Sequence, residues 1–203
     1  MTDHRPRRSP VKRRAILDAA IKVFTDQGYA RASVDAIAAV AGVGKQTVYS
    51  HFGDKEQLFL AAIQEARSAV GATSAEPPVA FSGDPREDLA VLGERILDIA
   101  LSPRVSAMHR LTIAEVAHHP ELQRTWRESS ASADRDVVGY LRECDDDGRL
   151  RVPDPDKAAR QFAHLVITEG RVETAYGMLP LRPERRRAIA ADAADLIVRA
   201  HHP

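Results

Sequence analysis

Six polar side chains crowd into the stretch Gly44–Phe52, read GKQTVYSHF: Lys45, Gln46, Thr47, Tyr49, Ser50 and His51. All are hydrogen-bond donors, and their order matters. A lysine ammonium can donate to the major-groove edge of guanine, and a glutamine amide can bridge N6 and N7 of adenine. Hydroxyl, phenol and imidazole donors of graded length suit phosphate oxygens or further base edges. Lys55 follows at the start of the next expected helix, where its charge would add to free backbone N–H groups and hold a phosphate. Two bland readings stand beside these. Tyr49 can simply pack, and His51, next to apolar Phe52, is as well placed for a structural hydrogen bond as for DNA.

Such donors act on a base only if an element presents them. Ser33 is set to cap a helix of two turns, with Asp35 at its positive end. Val34, Ile37, Ala38 and Ala41 give that helix one apolar face, and Gly42 can take the left-handed conformation that stops it. Val43 plugs the turn. A second short helix opens near Gly44, with Val48 and Phe52 inward at i and i+4. Two short helices joined by a tight glycine turn over residues 33–52 predict a helix-turn-helix whose second helix enters the major groove.

The charge distribution agrees, although the 203-residue chain is formally neutral. From Met1 to Phe52 nine bases face four acids, so this part carries +5 and the remainder −5. A basic head on an acidic body is the footprint of an anion-binding module joined to something with another task. The arm RPRRSPVKRR could lie in a minor groove or along phosphates, or remain a solvated tail.

The rest of the chain reads as helix. Hydrophobic residues make up 44%, charged residues 29% and aromatic residues 5%, an ordinary globular composition that favours helices over strands. A cap followed by proline recurs at Ser9-Pro10, Asp84-Pro85, Ser102-Pro103 and Asp154-Pro155, each a helix start. Asp84 with Glu87, and Asp54 with Gln57, have capping-box spacing. Ile16, Ala20, Val23 and Phe24 line a first helix ending at Gly28, and Leu58, Phe59, Ala62 and Ile63 line a fourth. Further helices are expected near 85–101, 103–118, 120–145, 155–177 and 183–201. The fold expected is therefore all-α, of about nine helices: a three-helix DNA-binding head with the helix-turn-helix, and a helical body. Its divisions are a basic arm (1–13), the head (14–70), a small-residue and proline-rich linker (71–84) and the body (85–203).

Several classes are disfavoured. The lone Cys144 allows no internal disulfide, and its acidic neighbours disfavour a thiolate. No apolar run approaches the roughly 20 residues of a membrane span, and no secretory leader is read, so a soluble cytoplasmic protein is expected. No P-loop, dinucleotide turn or nucleophile elbow occurs. Glu115 and His118 have the Glu-x-x-His spacing of helical carboxylate-bridged metal sites, but those need a second copy that the chain lacks. No catalytic residue, metal ligand or cofactor is assigned. The alternative kept is a helical metal-dependent enzyme, or a DNA-binding or interaction module that needs no effector.

From Arg14 to Ile63 the sequence resembles the TetR-type (tetracycline-repressor) family of regulators. The first helix ends in Phe24 and Gly28-Tyr29, and AGV, TVYxHF and DKExLF follow at fixed spacing in SVDAIAAVAGVGKQTVYSHFGDKEQLFLAAI. The resemblance implies a homodimer whose heads contact successive faces of a partly palindromic double-stranded operator, and a body that binds a small-molecule effector and commonly releases the DNA. Carried over by motif, Lys45 and Gln46 would read bases and Gly44 would make close approach. Thr47, Tyr49 and Lys55 would hold phosphates, with Ser33 at the start of the second helix.

In the body, Phe162, Leu165, Val166, Val172 and Tyr176 form one stripe, and Ile189, Ala193, Leu196, Ile197 and Ala200 another. Either the two stripes close the monomer's own core or they build a four-helix interface about a two-fold axis, with Gly170 admitting a neighbour. The resemblance favours the interface, with Leu165, Val172, Tyr176, Ile189, Leu196 and Ile197 as its residues. An effector pocket is expected between the body helices, with Met108, Trp126 and Phe162 as apolar walls and His109, His164 and Glu169 as polar groups.

Overall fold

The computed structural model describes residues 9–73, 81–120, 123–124 and 135–203, with the backbone alone for 67–73. Among these residues there are nine helices and no strand: α1 (Pro10–Gln27), α2 (Val34–Ala41), α3 (Lys45–Phe52), α4 (Lys55–Thr73), α5 (Pro85–Ala100), α6 (Pro103–Glu115), α7 (Arg135–Asp146), α8 (Pro155–Glu173) and α9 (Pro183–Ala200). The fold is all-α, as composition and periodicity predict.

The four cap-proline pairs do start helices, though by different means. Asp154 accepts from the Lys157 N–H at 2.9 Å and Asp84 from the Arg86 N–H at 2.7 Å. Ser102 instead donates its hydroxyl back to the Ile99 carbonyl, and Ser9 makes no side-chain cap. The box expected from Asp84 and Glu87 is replaced by a local turn, because the Asp84 N–H goes to the Ser82 hydroxyl at 3.2 Å.

The described residues fall into two compact units, one holding 9–68 with 107–120 and 123–124, the other 69–73 and 81–106 with 135–203. The sequence divisions placed all of 107–120 in the body. The second half of α6 instead belongs to the head unit, where Met108 and Thr112 are fully buried. Two other divisions also shift. α1 begins at Pro10, so residues 10–13 of the expected arm are helical, and α4 runs to Thr73, into the expected linker. Residues 1–8 and 74–80 lie outside the described residues.

In the head unit, Ile16, Leu17, Ala20 and Phe24 of α1 are buried with Ile37 and Val48 from the two short helices and Leu58, Phe59 and Ile63 of α4. Phe24, Tyr29 and Phe59 form an aromatic cluster with ring centroids 4.9–5.7 Å apart. Such contacts add specific geometry to area burial.

In the body unit, α5 packs against α9, α8 and α7 around a core that includes Leu89, Leu97, Tyr140, Leu141, Phe162, Val166 and Ile189. Two glycines permit its closest approaches. A Cβ on Gly93 would meet Ala190 Cβ at 3.0 Å and Phe162 at 3.2 Å, and one on Gly170 would overlap the Leu97 side chain. α8 ends short of the expected residue 177. Thr174 donates back to the Gly170 carbonyl at 2.7 Å, and Ala175 and Tyr176 then turn into the left-handed region (φ 47° and 59°).

Candidate nucleic-acid interface

The Ser33 hydroxyl accepts from the Ala36 N–H at 3.0 Å and opens α2. At the other end, Gly42 adopts φ 65° and ψ 33°. The Val43 N–H reaches the Ala38 carbonyl at 3.0 Å and the Gly42 N–H the Ala39 carbonyl at 3.3 Å. This six-to-one and five-to-two pairing stops a helix abruptly and satisfies its last carbonyls. A β-carbon at φ 65° would be strained, which explains the glycine. α3 starts two residues later from an extended Gly44.

α3 then divides cleanly. Val48 and Phe52 are buried, while Lys45, Gln46, Tyr49 and Ser50 are exposed and Thr47 is half-buried. Lys45 and Gln46 occupy the first turn, the end of a recognition helix that reaches base edges. A Cβ on Gly44 would find only the Thr47 hydroxyl, at 4.0 Å. Gly44 is therefore open to close approach, although its backbone (φ −73°, ψ 147°) does not itself require glycine.

Several of the sequence-derived donors are engaged within the head. The Ser50 hydroxyl donates to the Thr47 carbonyl at 2.8 Å. His51 is half-buried with its ring 6.0 Å from that of Phe52. Lys55 is turned inward: its ammonium donates to the Ala30 carbonyl at 3.2 Å and sits 4.5 Å over the Tyr29 ring. Burial pulls the Lys55 ammonium below its ordinary pKa, against the opposing charge of Glu115.

Other residues at this surface were not singled out as site residues from sequence. The Lys45 ammonium pairs with the Asp35 carboxylate at 2.8 Å, joining the starts of α2 and α3. That hydrogen bond and its charge raise the Lys45 pKa. Arg13, expected in the arm, lies on α1 with its guanidinium 5.4 Å from the Phe52 ring centre. Glu115 at the end of α6 accepts from the Ala30 N–H at 3.4 Å, and the His119 ring meets Tyr29 edge-on at 4.8 Å. Sequence spacing could not show that contact, since 85 residues separate Glu115 from Ala30. It also gives the Glu115 carboxylate a structural role that the metal-motif reading did not include. Among the described residues, no three His, Cys, Asp or Glu side chains cluster as metal ligands.

Known families match both parts of the chain. Residues 16–62 match the bacterial regulatory proteins of the tetR family, and residues 87–203 match the AefR-like transcriptional repressor C-terminal domain. The chain belongs to the tetR family. It is 35% identical over 107 residues to the HTH-type transcriptional regulator AcrR of Shigella flexneri, covering 53% of the chain and 48% of AcrR. It is 28% identical to the HTH-type transcriptional repressor Rv1474c of Mycobacterium tuberculosis, over 84% of the chain and 86% of that protein. The match spans only about half of AcrR, and likewise 54% of the regulator BetI of Rhizobium meliloti. Among solved structures, the Flavonoid-responsive Regulator FrrA superposes with a TM-score of 0.77 at 28% identity, covering 96% of this chain and 99% of its own.

Within this tetR-family chain, the residues expected to line an effector pocket fall in both units. Met108 lies buried in the head unit, and Phe162 fills the body core against Gly93. His109 is half-buried on α6, and Trp126 lies outside the described residues. Glu169 pairs with Arg185 on α9.

Glu169 also borders an apolar groove of about 980 Å³ along α8 and α9, with Leu165, Val172 and Leu196 on its walls and Ile197 at its base. Leu165, Val172, Tyr176 and Leu196 are exposed, as an interface with a second copy requires. Ile189 is a correction: at 1% exposure it closes the monomer's own core, because the inward face of α9 packs on α5. Ile197, 5% exposed, belongs to that core and also lines the groove. Gly170 is likewise occupied by Leu97 of the same chain rather than by a neighbour.

Burial pushes the Cys144 thiol above its ordinary pKa, which agrees with its reading as a poor nucleophile.

Proposed function

We propose that this chain is a sequence-specific DNA-binding transcriptional repressor that acts as a homodimer on a double-stranded operator. The observation that carries this reading is α3 itself. It is set off from α2 by the turn at Gly42, anchored by buried Val48 and Phe52, and presents Lys45 and Gln46 at its exposed first turn. Lys45 and Gln46 read bases, Ser33, Thr47 and Tyr49 hold phosphates, and Lys55 reaches a phosphate once it leaves Ala30.

The dimer forms through the outward faces of α8 and α9 at Leu165, Val172, Tyr176 and Leu196. A small-molecule effector bound in the body releases the DNA. FrrA, named as flavonoid-responsive, supports ligand control in a chain of this fold. The protein works in the cytoplasm, in keeping with the absence, among the described residues, of a helix long and apolar enough to cross a membrane. It is a regulator and not an enzyme.

The test is selection of bound duplexes from a random pool, followed by gel shift on the enriched sequence. Binding should weaken steeply with salt, since each phosphate contact releases counterions. Replacing Lys45 and Gln46 by alanine should cost roughly 1–3 kcal/mol for each good base contact and relax sequence preference. A pool that never enriches would defeat the proposal.

A further inference from the structure

The ion pair between Asp35 and Lys45 places a carboxylate on the surface proposed to meet a polyanion. Asp35 is the second residue of α2 and Lys45 the first of α3, and their side chains are 65% and 50% exposed on the surface proposed to meet DNA. The helix dipole explains an acid in the first turn of α2. It does not explain why that acid reaches across the turn to Lys45 at 2.8 Å. The Lys22–Asp26 pair, by contrast, stays within α1.

We propose that Asp35 is a specificity-determining residue that keeps Lys45 on a base edge and off the phosphate backbone. This inference rests on the DNA-binding reading above. An exposed ion pair adds little to folding stability, so its consequence lies in what the ammonium can do next. An unpaired lysine is a flexible point charge that gains from any phosphate it meets, whatever the sequence.

Paired to Asp35, Lys45 still has two N–H donors left, enough for O6 and N7 of a guanine. Contact with the base is therefore compatible with the pair. Swinging to a phosphate is not, because it would leave the Asp35 carboxylate uncompensated against a polyanion. Asp35 thereby penalises indiscriminate contact and leaves the guanine contact intact, which is selection by a repulsive element.

The experiment is a double-mutant cycle on the full chain. Affinities are measured for the duplex enriched by wild type and for an unrelated duplex of equal length, and their ratio is the readout. Asp35→Asn should lower the ratio about tenfold, the scale of one good base contact, chiefly by tighter binding to the unrelated duplex. In a Lys45→Ala background the same change should leave the ratio where it is. Asp35→Ser, which retains a helix-favouring hydroxyl near the N-terminus, guards against a folding defect in the first variant and should behave alike.

A ratio unchanged by Asp35→Asn, or changed equally in both backgrounds, overturns the proposal. If wild type itself shows no preference between the duplexes, it is the DNA-binding reading that fails.

Discussion

The ammonium of Lys55 lies 4.5 Å over the ring of Tyr29, at the beginning of α4 and the end of the α1 turn respectively. The Ala30 carbonyl accepts from the same ammonium, and Glu115 of α6 receives the Ala30 N–H. A residue that sequence position marks for phosphate is thus also a brace inside the head unit. The two roles predict separable consequences.

Lys55→Met keeps most of the aliphatic stem and removes the charge. Losing the cation–π contact and one hydrogen bond should destabilise the protein by about 1–2 kcal/mol. The shift in urea midpoint measures this. Affinity should fall alike for enriched and unrelated duplexes. A loss of affinity with no change in midpoint would show that the brace contributes nothing to folding.

Asp88 predicts an acid-sensitive body. It is 2% exposed and accepts from Tyr140 Oη at 2.7 Å, from the Ser82 N–H and hydroxyl at 2.6 and 3.0 Å, and from the Gly83 N–H at 3.1 Å. Burial alone would raise its pKa, but these hydrogen bonds outweigh it and hold the carboxyl below 3.8. A carboxyl with a depressed folded-state pKa adds stability above its unfolded pKa, and that stability is lost as pH falls through the folded value. Asp88→Asn should therefore cost about 2 kcal/mol at pH 7 and flatten the loss of stability as pH falls from 7 to below 3.8. Denaturation curves at both ends of that window test it, and an unaltered acid dependence would refute the hydrogen-bond explanation.

The two faces of α9 should answer differently to the same substitution. Leu196→Glu, at a 55% exposed site, should leave helicity intact by circular dichroism while sedimentation shows monomer in place of dimer. Ile189→Glu, at a 1% exposed site, should instead unfold the body, because it buries an unpaired charge. If Leu196→Glu remains dimeric, the groove along α8 and α9 is not the interface.

Gly170→Ala tests the closest approach in the body. The added methyl would overlap the Leu97 side chain, and overpacking of this kind costs typically 1–3 kcal/mol. Pairing it with Leu97→Ala should recover part of the loss, by making room at the expense of buried area. A lone Gly170→Ala as stable as wild type would mean that Leu97 moves aside freely.

Much of the head was legible in the sequence because its determinants are local. A cap at Ser33, a left-handed glycine at Gly42 and inward positions at Val48 and Phe52 are read within 20 residues, and the backbone obeys them. Helix starts at Pro10, Pro85, Pro103 and Pro155 follow from the same short-range chemistry. The face that each helix buries is set by what it meets, and that is where sequence reasoning was weakest. Ile189 and Leu196 share one stripe in the sequence, yet packing on α5 draws the first inward and leaves the second exposed.

The charged side chains separate the two levels further. Sequence alone determined that Lys45 and Lys55 stand at helix starts in a basic head. Only the tertiary structure decided that the first is held by Asp35 ten residues away and the second by Ala30 and Tyr29. Helix starts are fixed by hydrogen bonds among neighbours in the chain. The partner of a long flexible cation is fixed by whichever carboxylate, carbonyl or ring the fold brings within reach.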